Sequence, residues 1–288
     1  MPSRAVFVSL VRAQCIVALL VASAAAPGAA APGAGDPRGF ELRVESELFA
    51  DGATEPVARS LTLFRDGVAW DFLELAAPEG TDGGMRLAEI VLHDPARERV
   101  VVIDPNRDVK TQVETIRLER LSVSLAKWAR SADDRLVRWA GGPDFGDGIT
   151  EKEDAMELVG PRVRYAVAYG AAPSTEAATT YRRFADTAIL LKALLQPGGI
   201  PPFPRLALNR RIEAAGAIPA EVSLEIDPKL ALVAGRPSRL KCVHKSHPRL
   251  LAGDVARIED GEAHVASATA VNVAAFVADG AETVPARR

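Results

Sequence analysis

Alternating apolar and polar positions mark the start of the part of the chain that we expect to be ordered. From Phe40 to Ala50, apolar residues occupy alternate positions, with one slip before Leu48, and charged residues stand between them. Because successive side chains of a strand point to opposite faces, this period of two predicts a strand that is buried on one face.

Three turn signals divide the next stretch into short strands. Asp66-Gly67 separates two apolar runs that carry aromatic residues, and glycine supplies the positive φ that a tight hairpin requires. Asp94-Pro95 and Asp104-Pro105 mark two further turns, since proline fixes φ at the second turn position. The pattern therefore predicts an antiparallel meander of about six strands between residues 40 and 114.

The spacing of apolar residues changes to three and four after the meander. Leu118, Leu121 and Leu125 share one face of a predicted helix, and a second helix is predicted to follow Ser174. Residues 143–154 are polar and acidic, which predicts a loop. Strands that come first and helices that come later indicate an α+β fold: an antiparallel β meander forming a half-barrel-like sheet, with helices packed on one side.

The N-terminal segment has the pattern of an export signal. Arg4 and Arg12 accompany a short apolar run at residues 15–26, and small residues follow it. Such a run is too short to span a bilayer, so we predict a signal peptide at residues 1–26 and a flexible leader of Pro, Gly and Ala at residues 27–39. An apolar helix belonging to the domain itself is the alternative.

The remaining chain is expected to form one domain. Residues 40–280 are predicted as a single α+β domain and residues 281–288 as a disordered tail. No later segment approaches twenty uninterrupted apolar residues, so the mature chain is predicted to lack a transmembrane span. Signal-peptide cleavage would place it in the periplasm or the extracellular space.

Composition narrows the functional classes. Hydrophobic residues make up 48% of the 288 residues, which excludes global disorder because there is enough apolar material for a core. The formal net charge is −3, so we predict no nucleic acid among the partners, since such proteins carry a large basic excess.

Sequence motifs for catalysis are scarce. The sequence has no Gly-x-Ser-x-Gly elbow, P-loop or His-Glu-x-x-His, so catalysis is not supported and no cofactor is predicted. Cys242 and His244 are weak candidate metal ligands, because they would share one face of a strand while His247 would fall on the other. We therefore assign neither a metal site nor catalytic residues.

The hairpin segment carries a resemblance to a known family. Residues 63–72, with the sequence LFRDGVAWDF, and the later Asp104-Pro105 turn resemble a region of the periplasmic carriers of outer-membrane lipoproteins, the chaperone and receptor of the Lol system. The resemblance covers residues 40–114, and the chain lacks the lipidated cysteine of the receptor. It implies a half-barrel whose open side is covered by helices and holds acyl chains.

Three functional hypotheses remain open. The first is an exported non-catalytic binding protein that holds a lipid, an acylated protein or another hydrophobic ligand in a sheet–helix cleft, with Phe64, Trp70 and Phe72 as candidate contacts. The second is a structural or envelope protein-interaction module that docks a partner through a sheet edge or the acidic loop. The third is an enzyme of unknown class that uses Cys242 or a histidine.

Overall fold

A computed structural model describes residues 40–77, 84–142, 145–233 and 236–282 of the chain. The predicted signal peptide and leader lie outside the described residues, as does the predicted tail from residue 283 onward.

One sheet connects the two ends of the described chain. Its twelve described strands are β1 (Glu41–Ala50), β2 (Ala58–Arg65), β3 (Val68–Ala76), β4 (Met85–Asp94), β5 (Arg99–Asp104), β6 (Val109–Glu114), β7 (Ile149–Lys152), β8 (Ala155–Gly160), β9 (Val163–Ala171), β10 (Ala217–Ile226), β11 (Arg239–His247) and β12 (Thr269–Ala270). They lie in the order β12-β6-β5-β4-β3-β2-β1-β11-β10-β9-β8-β7. The strand β1 therefore lies inside the sheet, between the N-terminal meander and the strands from the second half of the chain.

Neighbouring strands of the sheet are antiparallel, except that β12 is parallel to β6. The described helices are α1 (Thr115–Arg130), α2 (Arg135–Ala140), α3 (Thr175–Leu195), α4 (Phe203–Ala214), α5 (Pro228–Val233), α6 (Ala252–Ser267) and α7 (Val273–Glu282). The predicted α+β class with an open, half-barrel-like antiparallel sheet is confirmed.

The turns of the meander form as the sequence predicts. Asp66 and Gly67 both have positive φ, 52° and 76°, and join β2 to β3. The carboxylate of Asp94 accepts a hydrogen bond from the backbone N of Arg97 at 3.2 Å, which stabilises the next turn. The predicted slip in β1 does not occur, because Ser46 keeps the alternation and is buried among apolar residues.

The two faces of the sheet carry different helices. We call the face that bears Leu42 and Phe64 the first face, and α3 and α4 cover it, with α1 and α7 over its β4–β6 end. The opposite, second face bears Trp70 and Phe72 and is covered by α6. The prediction that helices pack on one side is thus incomplete, because the aromatic residues of β3 make the second face apolar as well.

The predicted loop at residues 143–154 is shorter than expected. Ile149–Lys152 forms β7 at one edge of the sheet, and only Ile149 gave an apolar signal there. Pro143 and Asp144 lie outside the described residues. Among the described helices, none combines the length and the apolarity that crossing a bilayer requires.

Candidate functional site

The three aromatic residues predicted to line a cleft do not share one face. Phe64 is fully buried on the first face, with its ring centroid 5.6 Å from that of Phe184 in α3. Trp70 and Phe72 stack on the second face with ring centroids 6.4 Å apart. The structure therefore brings Trp70 and Phe72 together and separates Phe64 from them.

The hairpin register explains this separation. In β2 and β3, Phe64 pairs with Ala69 and Leu63 pairs with Trp70. Paired residues in a sheet point to the same side, so Phe64 and Trp70 point to opposite sides. A two-residue turn at Asp66-Gly67 already dictates this register, and this signal in the sequence would have placed Phe64 correctly.

The helix α6 lies directly on the stacked aromatic pair. Gly261 is buried against Trp70, and a Cβ atom at this glycine would lie only 2.9 Å from a carbon of the indole ring. Ile258 and the partly buried Val265 of the same helix join the apolar cluster that contains Trp70 and Phe72. A glycine at this position thus allows the helix backbone to approach the sheet closely.

A cleft remains beside this contact, between one side of α6 and the sheet. We call it the α6 cleft; its volume is about 540 Å³. The sheet contributes Phe72, Leu87 and Ile90 to its lining. The helix contributes Gly253, Ala256, Arg257, Asp260, Gly261, Ala263, His264 and Ser267. The sheet side is therefore apolar, whereas the helix side combines small residues with a few polar ones.

Arg257 marks the polar end of the cleft. Its guanidinium forms an ion pair with Glu74 and lies over the ring of Phe72, 5.1 Å from the centroid. Both contacts hold the arginine at the boundary between the α6 cleft and a neighbouring polar groove of about 320 Å³, which Phe72 and Arg257 also line.

The polar groove carries paired charges. Arg43 forms ion pairs with Glu45 at 2.7 Å and with Asp254 of α6 at 2.9 Å. The hydrogen bond from Arg43 lowers the pKa of Glu45. Arg59 pairs with Glu47 at 3.0 Å. These pairs leave little uncompensated charge in the groove, and the Arg43–Asp254 pair anchors the beginning of α6 to β1.

The weak metal candidates lie elsewhere, on the first face. Cys242 and His244 are both buried on the same side of β11, as the alternation predicts, and His247 is exposed on the other side. The Nδ1 atom of His244 is 2.5 Å from the Oγ atom of Ser46. No cluster of three or more His, Cys, Asp or Glu side chains suited to a metal ion occurs within the described residues.

Buried polar groups on the first face were missed by the sequence analysis. The Oδ1 atom of Asp71 accepts hydrogen bonds from Ser60 and from Thr62, the latter at 2.7 Å. Burial raises the pKa of Asp71 to about 6, although these hydrogen bonds oppose the shift. Lys192 of α3 donates to both carboxylate oxygens of Glu89, at 2.7 and 2.8 Å, and is itself buried.

Arg205 is the most unusual of these groups. Its side chain is 0% exposed, and none of its three guanidinium nitrogens has a hydrogen-bond partner among the described residues. Burial lowers the pKa of Arg205, yet a guanidinium remains charged at neutral pH. The nearby carboxylate of Asp186 instead accepts hydrogen bonds from Asn209 and Arg182, at 2.7 and 2.8 Å. Charged residues are rarely buried, so no sequence pattern predicts this interior position.

Two comparisons with known proteins found no relative of this chain. No protein-family model matches the chain, and a search of curated proteins finds no match.

Proposed function

We propose that this protein is a non-catalytic binding protein that holds a lipid, or another largely apolar ligand, in the α6 cleft. One observation supports this proposal above others: a cleft of about 540 Å³ opens beside a helix on an aromatic face of the sheet. Binding sites for small molecules have volumes of about 300–1,000 Å³ and apolar linings with a few polar groups, and this cleft has both properties.

The lining favours an amphipathic ligand with one apolar chain. Phe72, Leu87 and Ile90 offer an apolar floor, and the small side chains of Ala256 and Ala263 leave room above it. Arg257 stands at one end, where it would interact with a polar or anionic head group. In this proposal Phe72 contacts the ligand, whereas Trp70 supports α6 from below. Phe64 lies on the other face and does not contact the ligand.

The proposal agrees with the resemblance of residues 40–114 to the lipoprotein carriers, which hold acyl chains between a half-barrel and helices. As in those carriers, we propose that the signal peptide exports the protein and that it acts in the periplasm or outside the cell. Its ligand would be a lipid or an acylated protein.

A fluorescent fatty acid, titrated into the purified protein, tests the proposal. We expect saturable binding at one site, and at least a tenfold loss of affinity in Ala263→Phe, because the ring would fill the cleft. The matched control is Ala266→Phe, since Ala266 is exposed on the same helix but does not line the cleft. The control should bind within about twofold of the wild type, because the cleft is unchanged.

Two results would overturn the proposal. One is the absence of binding by the wild-type protein, together with a bare mass in native mass spectrometry after gentle purification from its own host. The other is equal binding by the Ala263→Phe and Ala266→Phe variants, which would place the ligand away from the α6 cleft.

A further inference from the structure

The outward side of α1 exposes apolar side chains to an unusual degree. Ile116 is 43% exposed, Val123 72% and Trp128 55%, and these are three of the five large exposed hydrophobic residues among the described residues. The inward side of the same helix is ordinary, with Leu118 and Ala129 buried.

Cations alternate with these apolar residues. Ile116, Arg120, Val123 and Lys127 follow one another at spacings of four, three and four, so they form one stripe along the helix. Trp128 lies about 100° further round the helix than Lys127, in the same row as Arg117, at the flank of the stripe. From Ile116 to Lys127 the stripe extends over about 17 Å along the helix.

Three exposed cations of α1, two of them on the stripe and one in the row of Trp128, differ from the ion-paired arginines elsewhere in the protein. Arg117, Arg120 and Lys127 are exposed and form no ion pair within the described part of the chain. By contrast, Arg162 pairs with Asp227 and Arg164 pairs with Glu157. The exposed carboxylate of Glu119 lies beside Ile116 and Val123 on the same helix, so the three cations leave the outward side of α1 with a net positive charge.

We propose that α1 docks this protein onto the surface of a bilayer that contains anionic lipids. Charge complementarity selects this occupant: the three cations would meet lipid phosphates, while Ile116, Val123 and Trp128 enter the boundary between head groups and acyl chains. Tryptophan favours this boundary, and long basic side chains keep their charge in the head-group layer.

A protein partner fits the stripe less well. The centre of a protein–protein interface is depleted of charged residues, and lysine in particular is uncommon there. On α1, cations separate the apolar residues from one another, so the stripe offers no continuous apolar centre. The inference does not depend on the proposed ligand in the α6 cleft, because the two sites share no residue.

Vesicle co-sedimentation of the full chain tests the inference. We use vesicles of phosphatidylcholine alone and of phosphatidylcholine with about 30% phosphatidylglycerol, and we expect preferential binding to the anionic vesicles that weakens with salt. The double variant Arg120→Glu/Lys127→Glu should lose at least about tenfold in partitioning onto anionic vesicles. Trp128→Ser should lose binding without changing its salt dependence, because it removes only apolar contact.

A matched control distinguishes the loss of cations on α1 from a general change in the protein's net charge. Lys229→Glu/Arg249→Glu makes the same change in net charge at exposed positions outside α1, and it should bind anionic vesicles within about twofold of the wild type. All variants carry the same residues before Phe40, so the apolar N-terminal run contributes equally to each. The Ala263→Phe variant should also bind vesicles normally, which separates docking by α1 from ligand uptake by the α6 cleft.

Several results would overturn the inference: equal binding to neutral and anionic vesicles, an equal loss in the α1 variant and its control, or no vesicle binding at all. The stripe would belong to a protein partner instead if the wild type did not bind vesicles but formed a dimer or captured an acidic protein. In that case, the α1 variant should abolish the dimer or the capture.

Discussion

Two buried ionisable side chains on the first face have pKa values shifted in opposite directions. Burial raises the pKa of Asp71 to about 6, with Glu89 adding to the shift and Lys192 opposing it. Burial also lowers the pKa of His93 to about 4, assisted by the charge of Arg183. Both residues are therefore neutral in the folded protein over part of the range between pH 4 and 6.

The variant Asp71→Asn tests the first shift. Between about pH 4 and 6, folded Asp71 keeps a proton that the unfolded chain releases, so its contribution to stability falls as pH rises. We expect the stability of the variant, relative to the wild type, to increase by up to about 3 kcal/mol from pH 4 to pH 7. Urea unfolding at a series of pH values measures this difference, and a constant difference would contradict the shift.

His93→Leu should show the opposite dependence. Unfolded His93 takes up a proton below about pH 6.5. The folded residue resists protonation until about pH 4, so its contribution to stability is lost as pH falls through this range. The stability of the variant relative to the wild type should therefore rise on acidification. In the wild type the contributions of these two residues to the pH dependence of stability should largely cancel between pH 4 and 6.

Arg205 offers a third test at the scale of single residues. A buried guanidinium without hydrogen-bond partners loses its hydration and gains little in return. We expect Arg205→Met to increase the free energy of unfolding by about 1–3 kcal/mol, measured by chemical denaturation. Arg210→Met, at an exposed position of α4, should change it by less than about 0.5 kcal/mol. A loss of stability in Arg205→Met would show that Asp186 compensates the charge more than the geometry implies.

Among the elements, α6 depends on close contact with the sheet. Gly261→Ala would place a methyl group 2.9 Å from Trp70, so the helix must shift away from the second face. We expect a loss of about 1–3 kcal/mol in the free energy of unfolding. Gly253→Ala on the same helix meets nothing within 4 Å and should be neutral or stabilising by up to about 1 kcal/mol, because alanine favours helices. Equal effects of the two substitutions would contradict the close contact.

The elements differ in how far the sequence predicts them. Hairpin and turn residues between β2 and β6 act locally, so Asp66-Gly67 and the Asp-Pro turns were sufficient to predict the meander. The sequence pattern of α6 indicates a helix only over residues 254–258, because Gly253 and Gly261 weaken it, whereas the helix extends over Ala252–Ser267. An edge strand such as β7 has too few buried residues to produce a periodic signal.

The candidate site was less predictable than the meander. Trp70 and Phe72 are candidate contacts because large apolar side chains line clefts, and their proximity follows from the alternation of side chains along β3. The α6 cleft itself depends on a helix that begins about 180 residues later, and local patterns do not encode such a long-range contact. The buried Arg205 could not be predicted because the sequence does not show which arginines are ion-paired at the surface.

At the scale of the whole molecule, β1 joins the two halves of the sheet. It pairs with β2 through residues Glu41–Leu48 and with β11 through residues Arg43–Ala50. Because β1 pairs along its length on both sides, we expect the two halves of the sheet to unfold together.

Tryptophan fluorescence can test this cooperativity. Trp70 lies in β3 and Trp139 lies in α2, so variants that lack Trp128 and retain only one of these two report on different halves of the molecule. We expect the two probes and far-UV circular dichroism to give the same urea midpoint, because β1 couples both halves. Two separate transitions would show instead that the halves are independent subdomains.

The position of β1 has a consequence for biosynthesis. A ribosome produces the chain from its N-terminus, so β1 appears long before its partner strand: Arg43 must wait for His247, which follows about 200 residues later. At about 5–20 residues per second, the unpaired edge of β1 stays exposed for about 10–40 s. An exposed strand edge invites pairing with other chains. A nascent or truncated chain without β11 should therefore depend on chaperones, and β1 can be paired on both sides only after synthesis has passed residue 247.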